Sequence, residues 1–220
     1  STQYRNASGA PGHKYWQQQV DYTINIELND KKQTLAGHAQ MDYHNNSPDT
    51  LNYLWIQLDQ NRHKKQSAHI STREAPDLKT KSKISYKKFR ELIKLEEFDG
   101  GFTIKKVEMP TGEPLNYVVN GTMMRVDLST PLHPNEHVSL IFEWHYQLHE
   151  QKVLGGRSGY EYFPEDENYL YQIAAWYPRA AAYYDSEGWQ NKQFIGHGEF
   201  TLEFGNYDIH ITVPADHVVA

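Results

Sequence analysis

Residues 20–28 read VDYTINIEL, and their strict alternation decides the fold class. Val20, Tyr22, Ile24, Ile26 and Leu28 fall on one side of an extended chain, with Asp21, Thr23, Asn25 and Glu27 on the other. A period of two is what a half-buried antiparallel strand needs. Asn29-Asp30-Lys31-Lys32 supplies a turn, and residues 35–43 return as a second strand. A second turn is expected at Asn45-Asn46-Ser47-Pro48-Asp49, because Asn and Asp tolerate positive φ and Pro fixes its own. Residues 51–58 form a third strand, with Leu51, Tyr53, Trp55 and Gln57 alternating against Leu54, Ile56 and Leu58, so both of its faces read as largely buried. Strands resume at residues 102–107, at 115–119 and 123–128 around an Asn120-Gly121 hairpin, at 137–148 and at 200–213. The chain is therefore read as mainly antiparallel β, with about eight strands and one helix.

Composition bounds the rest. The 220 residues are enough for one β domain with an attachment, and the chain is polar, with 38% hydrophobic residues and a mean hydropathy of -0.79. With no cysteine, disulfides, thiolate metal sites and a Cys nucleophile are excluded. No apolar run approaches the roughly 20 residues of a membrane-spanning helix. The opening Ser1-Thr2, with no Met, reads as a processed start, and residues 1–14 as a mobile arm ahead of a domain at 15–220. The net charge of -6 hides an asymmetry: residues 62–94 carry eleven Lys or Arg against three acids. Residues 61–98 read as a basic insertion on that domain. It opens as a surface excursion over 61–83, and residues 84–98 follow as a helix with Phe89, Leu92, Ile93 and Glu96 at helical spacing and Gly100-Gly101 as the stop. Nucleic-acid binding is not expected, since only Tyr86 and Phe89 interleave the charge and no known module signature accompanies it.

Several motifs invite chemistry. His133-Pro134-Asn135-Glu136-His137 is a literal H-x-x-E-H, but Pro134 pushes His133 out of the α region and a strand follows at once, so a turn is expected. His145 and His149 would sit ~13 Å apart along a strand, too far for one ion. Gly155-Gly156-Arg157-Ser158-Gly159 and Gly196-His197-Gly198 match neither a nucleophile elbow nor a phosphate or dinucleotide loop and read as turns, with Arg157 as a cation for a cleft. Residues 160–189 are different, holding ten of the 29 aromatic residues. Tyr and Trp join an apolar body to a polar handle and suit pocket walls and interfaces. Several of Tyr160, Tyr162, Trp176, Tyr177 and Tyr183 are thus expected to be exposed on a cleft or docking face.

Six landmarks, taken in order, carry a resemblance: Tyr22-Thr23-Ile24-Asn25-Ile26, Leu54-Trp55-Ile56-Gln57-Leu58, Glu97-Phe98-Asp99-Gly100-Gly101-Phe102, Pro131-Leu132-His133-Pro134, Trp176-Tyr177-Pro178-Arg179 and Gly198-Glu199-Phe200. In this order the chain resembles, over nearly its whole length, the non-catalytic N-terminal domain of the membrane-alanyl-aminopeptidase (gluzincin) family of zinc metallopeptidases, and most of all a bacterial, exported branch. The resemblance implies a saddle-like β sandwich that packs on a catalytic domain and forms one wall of the peptide cleft. It implies zinc, the H-E-x-x-H and G-x-M-E-N motifs and the hydrolytic activity in the parent alone, since neither motif occurs here, with no cofactor and no activity in this chain. Its partners would be that catalytic domain and the peptide's amino terminus. The family's Q-x-E-P-like loop can be matched in two ways. Matched by its proline, Pro178 agrees, while Ala175 stands for the usual Gln and Tyr177 for the usual Glu. Matched by a Gln ahead of an Asp, it begins at Gln172, with Asp185 downstream. Either way Gln172, Trp176, Tyr177 and Arg179 are the substrate-binding candidates. The alternative is a self-sufficient β-sandwich module that binds a glycan or a partner protein.

Overall fold

A computed structural model describes residues 2–71, 85–86, 89–90, 93, 97–155, 157–196, 198 and 200–220. Thirteen strands are described. Five make one sheet: β1 (Gln19–Asn29), β2 (Thr34–His44), β4 (Thr103–Glu108), β7 (His137–Gln147) and β13 (Tyr207–Thr212), in the order β13-β1-β2-β7-β4. Four make a second: β3 (Leu51–Gln57), β5 (Tyr117–Asn120), β6 (Met123–Leu132) and β10 (Arg179–Ala180), in the order β10-β3-β6-β5. Two small ribbons complete them, β8 (Gly159–Phe163) with β9 (Asn168–Gln172) and β11 (Tyr183–Tyr184) with β12 (Gly188–Trp189). Among these pairs only β1–β13 is parallel. The protein is a β sandwich.

The alternation in the sequence is the alternation of burial. Val20, Tyr22, Ile24, Ile26 and Leu28 of β1 are all buried, as are Leu35, Ala39, Met41 and Tyr43 of β2 and Leu140, Phe142, Trp144 and Tyr146 of β7. They join Leu54 and Ile56 of β3 and Met124 and Val126 of β6 in one core. The second face of β3 is only half-buried, at Tyr53 and Trp55, while a shift of register between Leu51 and Tyr53 turns Leu51 inward. At the centre of the large sheet Gly37 pairs with Trp144. A Cβ on Gly37 would lie 2.3 Å from Cζ2 of that indole, so the ring lies in the space a side chain would fill.

Two turns form where expected for reasons other than those expected. Residues 45–49 contain no positive φ. Asn45 is used for its amide, fully buried, whose Nδ2 donates to the carbonyls of Asp49 (2.8 Å) and Leu132 (3.1 Å) and whose Oδ1 accepts from Ser47 Oγ and Gln18 Nε2. The β5–β6 hairpin is centred one residue later than expected, on Gly121-Thr122, since Asn120 pairs with Met123. Gly121 has φ 57° and Asn120 is not left-handed, which places glycine first in the turn. The H-x-x-E-H stretch is the β6–β7 turn, in which the Glu136 carboxylate accepts the His133 N–H at 2.8 Å.

The basic segment departs from its expected start. Of the surface excursion expected over 61–83, Asn61, His63 and Ser67 are buried, in and just after a 3₁₀ turn at Asp59–His63, Lys65, Gln66, Ala68 and Ser71 are exposed, and residues 72–83 lie outside the described residues. Asn61 holds that turn by donating to the Gly121 carbonyl and accepting the Phe102 N–H, both at 2.8 Å. Of the helix expected over 84–98, Tyr86, Phe89, Arg90, Ile93 and Glu97 are helical, and Leu92, Glu96 and the rest of its interior lie outside the described residues. Its Phe89 is 52% exposed. Residues 2–14 form a tight loop, with a bridge between Arg5 and Pro11, tied to the body by Arg5 on Asp185 at 2.9 Å.

The aromatic segment is mostly core flank rather than open face. Tyr160, Tyr171, Trp176, Tyr177, Tyr183 and Trp189 pack against the core, and where several of five named residues are expected to be exposed only Tyr162 is, at 41%. The short strands β11 and β12 and the loop before β10 lay their rings against the core, whereas the β8–β9 ribbon leaves Tyr162, Phe163 and Tyr169 exposed.

Two outcomes follow from this packing. Gly37→Ala should lower stability by about 1–3 kcal/mol, the usual cost of overpacking, and alter the near-ultraviolet tryptophan signal; an unchanged denaturation midpoint would show that the indole has room to move. Glu203 accepts the Tyr183 N–H at 2.7 Å, and burial pushes its carboxyl up from 4.5 to about 7. The folded protein thus holds a proton there that the unfolded chain releases. That stabilisation is complete below about 4.5 and is lost as pH rises through about 7. Glu203→Gln should flatten the pH dependence of stability in this window by roughly 1–2 kcal/mol, measured by urea melts at pH 5 and pH 8; parallel wild-type and variant curves would refute it.

Candidate functional site

The strongest concentration of polar chemistry lies where β3 runs out of the second sheet. After Gln57 the chain turns through buried Leu58 into Asp59–His63, while β10 lies beside β3 with Arg179 opposite Gln57 and Ala180 opposite Ile56. This register brings the Arg179 guanidinium onto Asp59, with a second contact to Gln57 Oε1 at 3.2 Å. Asp59 is 5% exposed. Burial raises its carboxyl, and the neighbouring Arg179 and then Arg62 oppose that rise. Its Oδ2 is held by Arg179, whereas Oδ1 is buried with no hydrogen-bond partner among the described residues.

The segment after β9 forms the next wall and is clamped from three sides. Gln60 Nε2 donates to the Ala174 carbonyl at 2.6 Å, and the Ala174 N–H reaches Ser158 Oγ at 3.3 Å. Trp144 Nε1 donates to the Trp176 carbonyl at 3.2 Å. Between these anchors Ala175 is left-handed at φ 51°, an uncommon state for a residue with a Cβ. The remaining wall comes from residues 194–202. Gln193 fastens it to the β5–β6 turn by donating to Asn120 O and accepting from the Thr122 N–H, each at 2.7 Å, and Phe194 then lies 5.6 Å beneath the Arg62 guanidinium.

Together these elements enclose a cavity of about 500 Å³, within the range of small-molecule sites. Among the described residues its lining carries three guanidinium groups (Arg62, Arg157, Arg179) and the His63 imidazole against one carboxylate, Asp59. Gln60, Gln172 and Ser158 add neutral polar groups, and Ile173, Phe194, Phe200 and Leu202 an apolar side. Such a chamber can orient a small ligand with one charged end and one greasy end. His63 accepts from Arg62 Nε at 3.0 Å and stacks on His149, ring centres 4.5 Å apart. No group of three or more His, Cys, Asp or Glu among the described residues is placed to hold a metal.

Of the four expected site residues, the structure brings Gln172 and Arg179 to this cavity. Trp176 and Tyr177 lie behind it. Tyr177 packs edge-on against Tyr22 at 5.4 Å and reaches Tyr207 Oη at 3.4 Å, and its burial pushes the phenol well above its ordinary range. Trp176 lies against Tyr177 at 4.6 Å and serves the site through its carbonyl. Asp185, the alternative downstream anchor, is engaged by Arg5. Arg157, flagged as a cleft cation, does line the cavity. Asp59, Gln60, Arg62 and His63 were not singled out. The available signal was an acid directly after an alternating strand, at the point where the alternation stops.

No protein-family model matches this sequence, and no curated protein is similar enough to count as a relative. Among solved structures the chain is similar to an M1 zinc metallopeptidase from Deinococcus radiodurans, at 13% identity and a TM-score of 0.44, over 93% of this chain and 34% of that one. A variant from the same organism bound to a Tyr-Ser-Ala substrate matches at 13% identity and 0.44, over 94% and 35%. A two-domain M1 zinc metallopeptidase variant bound to L-arginine gives the same figures. The chain thus spans about a third of the length of the structures it matches. A likeness of this degree does not assign a family.

Proposed function

We propose that this chain is the non-catalytic N-terminal β domain of a zinc-dependent, aminopeptidase-like metallopeptidase, and that the face bearing the cavity forms one wall of the peptide cleft. The observation that carries the reading is convergence. Three of the six ordered landmarks that resemble the gluzincin family lie far apart in the chain, and all three lead to this one cavity. Leu54–Leu58 runs directly into Asp59 and Gln60, Trp176–Arg179 supplies Arg179, and Gly198 and Phe200 contribute to the third wall.

In such a parent, zinc bound in another domain would polarise the scissile carbonyl and activate water, with a glutamate as base. This chain has no H-E-x-x-H and offers no described metal-holding group, so no step of that chemistry is routed through its residues. Its share would be orientation. Gln172 and Arg179 would hold the peptide, and Trp176 and Tyr177 would hold the loop that positions them. The resemblance to an exported branch extends the proposal to a parent that acts outside the cytoplasm. The rival reading, a self-standing module for a glycan, would rest on the outer tyrosine pair of the β8–β9 ribbon, Tyr162 and Tyr169, at 41% and 36% exposure.

The isolated chain should leave aminoacyl and peptide substrates intact with added zinc, while the reading frame beyond Ala220 should encode H-E-x-x-H. A frame without that motif, or zinc-dependent turnover lost on His133→Ala, would sink the reading, and a specific hit on a glycan array would favour its rival. In the intact parent, Gln172→Ala should raise KM roughly three- to tenfold with kcat little changed, as expected for loss of uniform binding.

A further inference from the structure

We infer that the β8–β9 ribbon of one copy of this chain docks on the basic helix of a second copy, at Tyr86, Phe89, Arg90 and Ile93. The ribbon supplies one half of the contact. Cross-strand pairing sets Tyr160 opposite Tyr171 and Tyr162 opposite Tyr169, so four tyrosines share one face. The inner pair packs on the core, whereas the outer pair, with ring centres 4.8 Å apart, is exposed. Phe163 and Leu170, on the opposite face, are exposed as well, Leu170 at 58%. A two-stranded ribbon has little stability of its own in water, and apolar side chains gathered on an exposed surface mark a site of association.

Charge identifies the occupant. Residues 159–172 carry Glu161, Glu165, Asp166 and Glu167 and no Lys or Arg. Glu161 is held by Lys152 at 2.6 Å, while Asp166 and Glu167, at the tip, make no ion pair among the described residues. The complementary surface is therefore both apolar and basic, and this chain carries one. By sequence, residues 85–94 hold four Lys or Arg against one acid. Tyr86, Phe89, Arg90 and Ile93 are helical and exposed, Tyr86 at 76%. Steps of three and four residues set Tyr86, Phe89 and Ile93 along one stripe, with Arg90 beside it. A guanidinium suits both a carboxylate and the face of a tyrosine ring.

Ribbon and helix stripe are exposed in the same chain, so neither is covered by the other. Their natural complement is thus the matching surface of another copy. Made twice about a two-fold axis, ribbon on helix and helix on ribbon, the contact doubles its buried area and closes a dimer. The pairing needs no zinc domain and no peptide, and it stands apart from the metallopeptidase reading.

The test is sedimentation velocity on the 220-residue chain over a concentration series. A reversible dimer is expected, weakened by added salt. Leu170→Ser on the ribbon and Phe89→Ser on the helix should each weaken it about tenfold, with unchanged thermal midpoints because both side chains are exposed. A charge swap gives the sharper result. Asp166→Lys with Glu167→Lys in one variant, and Arg90→Glu in another, should each weaken self-association, and mixing the two should restore it, since each then meets a surface of opposite sign. A chain that stays monomeric at millimolar concentration, a dimer indifferent to either set of substitutions, or a mixture no tighter than its components would overturn the pairing. So would cross-links between ribbon and helix that, in a mixture of isotope-labelled and unlabelled chains, join only residues of one copy. Open higher assemblies in place of a dimer would overturn the two-fold arrangement. None of these results depends on whether a zinc domain follows, so failure here and failure of the metallopeptidase reading are told apart.

Discussion

The placement of one indole over one glycine governs much of this structure. Trp144 is fully buried in the middle of β7, and it fits only because its partner on β2 is Gly37. An aromatic ring of this size dominates the packing of its neighbourhood, and its polar Nε1 needs an acceptor once water is excluded. The acceptor is the carbonyl of Trp176, in the loop between β9 and β10. A contact between two strands of the large sheet therefore sets the position of a loop on the far side of the core. Phe102, edge-on to both Trp144 and Tyr146, extends the same cluster to the Asn61 turn through its own N–H.

The Asp59–His63 turn is the second organiser, and it works by polar specification. Asn61 bridges the β5–β6 turn and the start of β4, Gln60 reaches the loop after β9, and Asp59 meets β10. A buried guanidinium–carboxylate pair adds little net stability once its desolvation is counted. Its effect here is geometric, fixing Arg179 where the two sheets and the loop meet. Rigid polar walls follow from that arrangement, whereas a purely hydrophobic corner would pack shut.

The long strands were legible because alternation over seven to eleven residues has one physical meaning: β1, β2, β3 and β7 were read within a few residues of their observed ends. What stayed hidden was set by contacts between distant segments. Nothing local in Asn45 distinguishes a turn-former at positive φ from a buried amide with four partners. The Asn120-Gly121 signal marked the hairpin but not the residue on which it turns. The aromatic segment misled because rings packed on the flank of a core and rings lining a cleft have the same composition. At the site, Gln172, Arg179 and Arg157 were within reach of sequence reasoning. Asp59 was not, since its importance comes from a cross-strand register with Arg179, 120 residues away.

The parallel pairing of β13 with β1 has a consequence for how the molecule comes into being. Asn206 and Asp21 are 185 residues apart and hydrogen-bonded to one another, and the Tyr22–Tyr207 rings stack at 5.2 Å where that pairing begins. As the chain leaves the ribosome, β1 can join β2 at once through a four-residue loop, but its outer edge must wait until β13, some 180 residues on, has been made. Closing so long a loop is slow, and an unpaired strand edge is a template for misassociation in the meantime. The Asp, Asn and Glu side chains that alternate along β1 thus lie beside an edge that stays open until β13 emerges, where charge and amide groups hinder pairing between nascent copies.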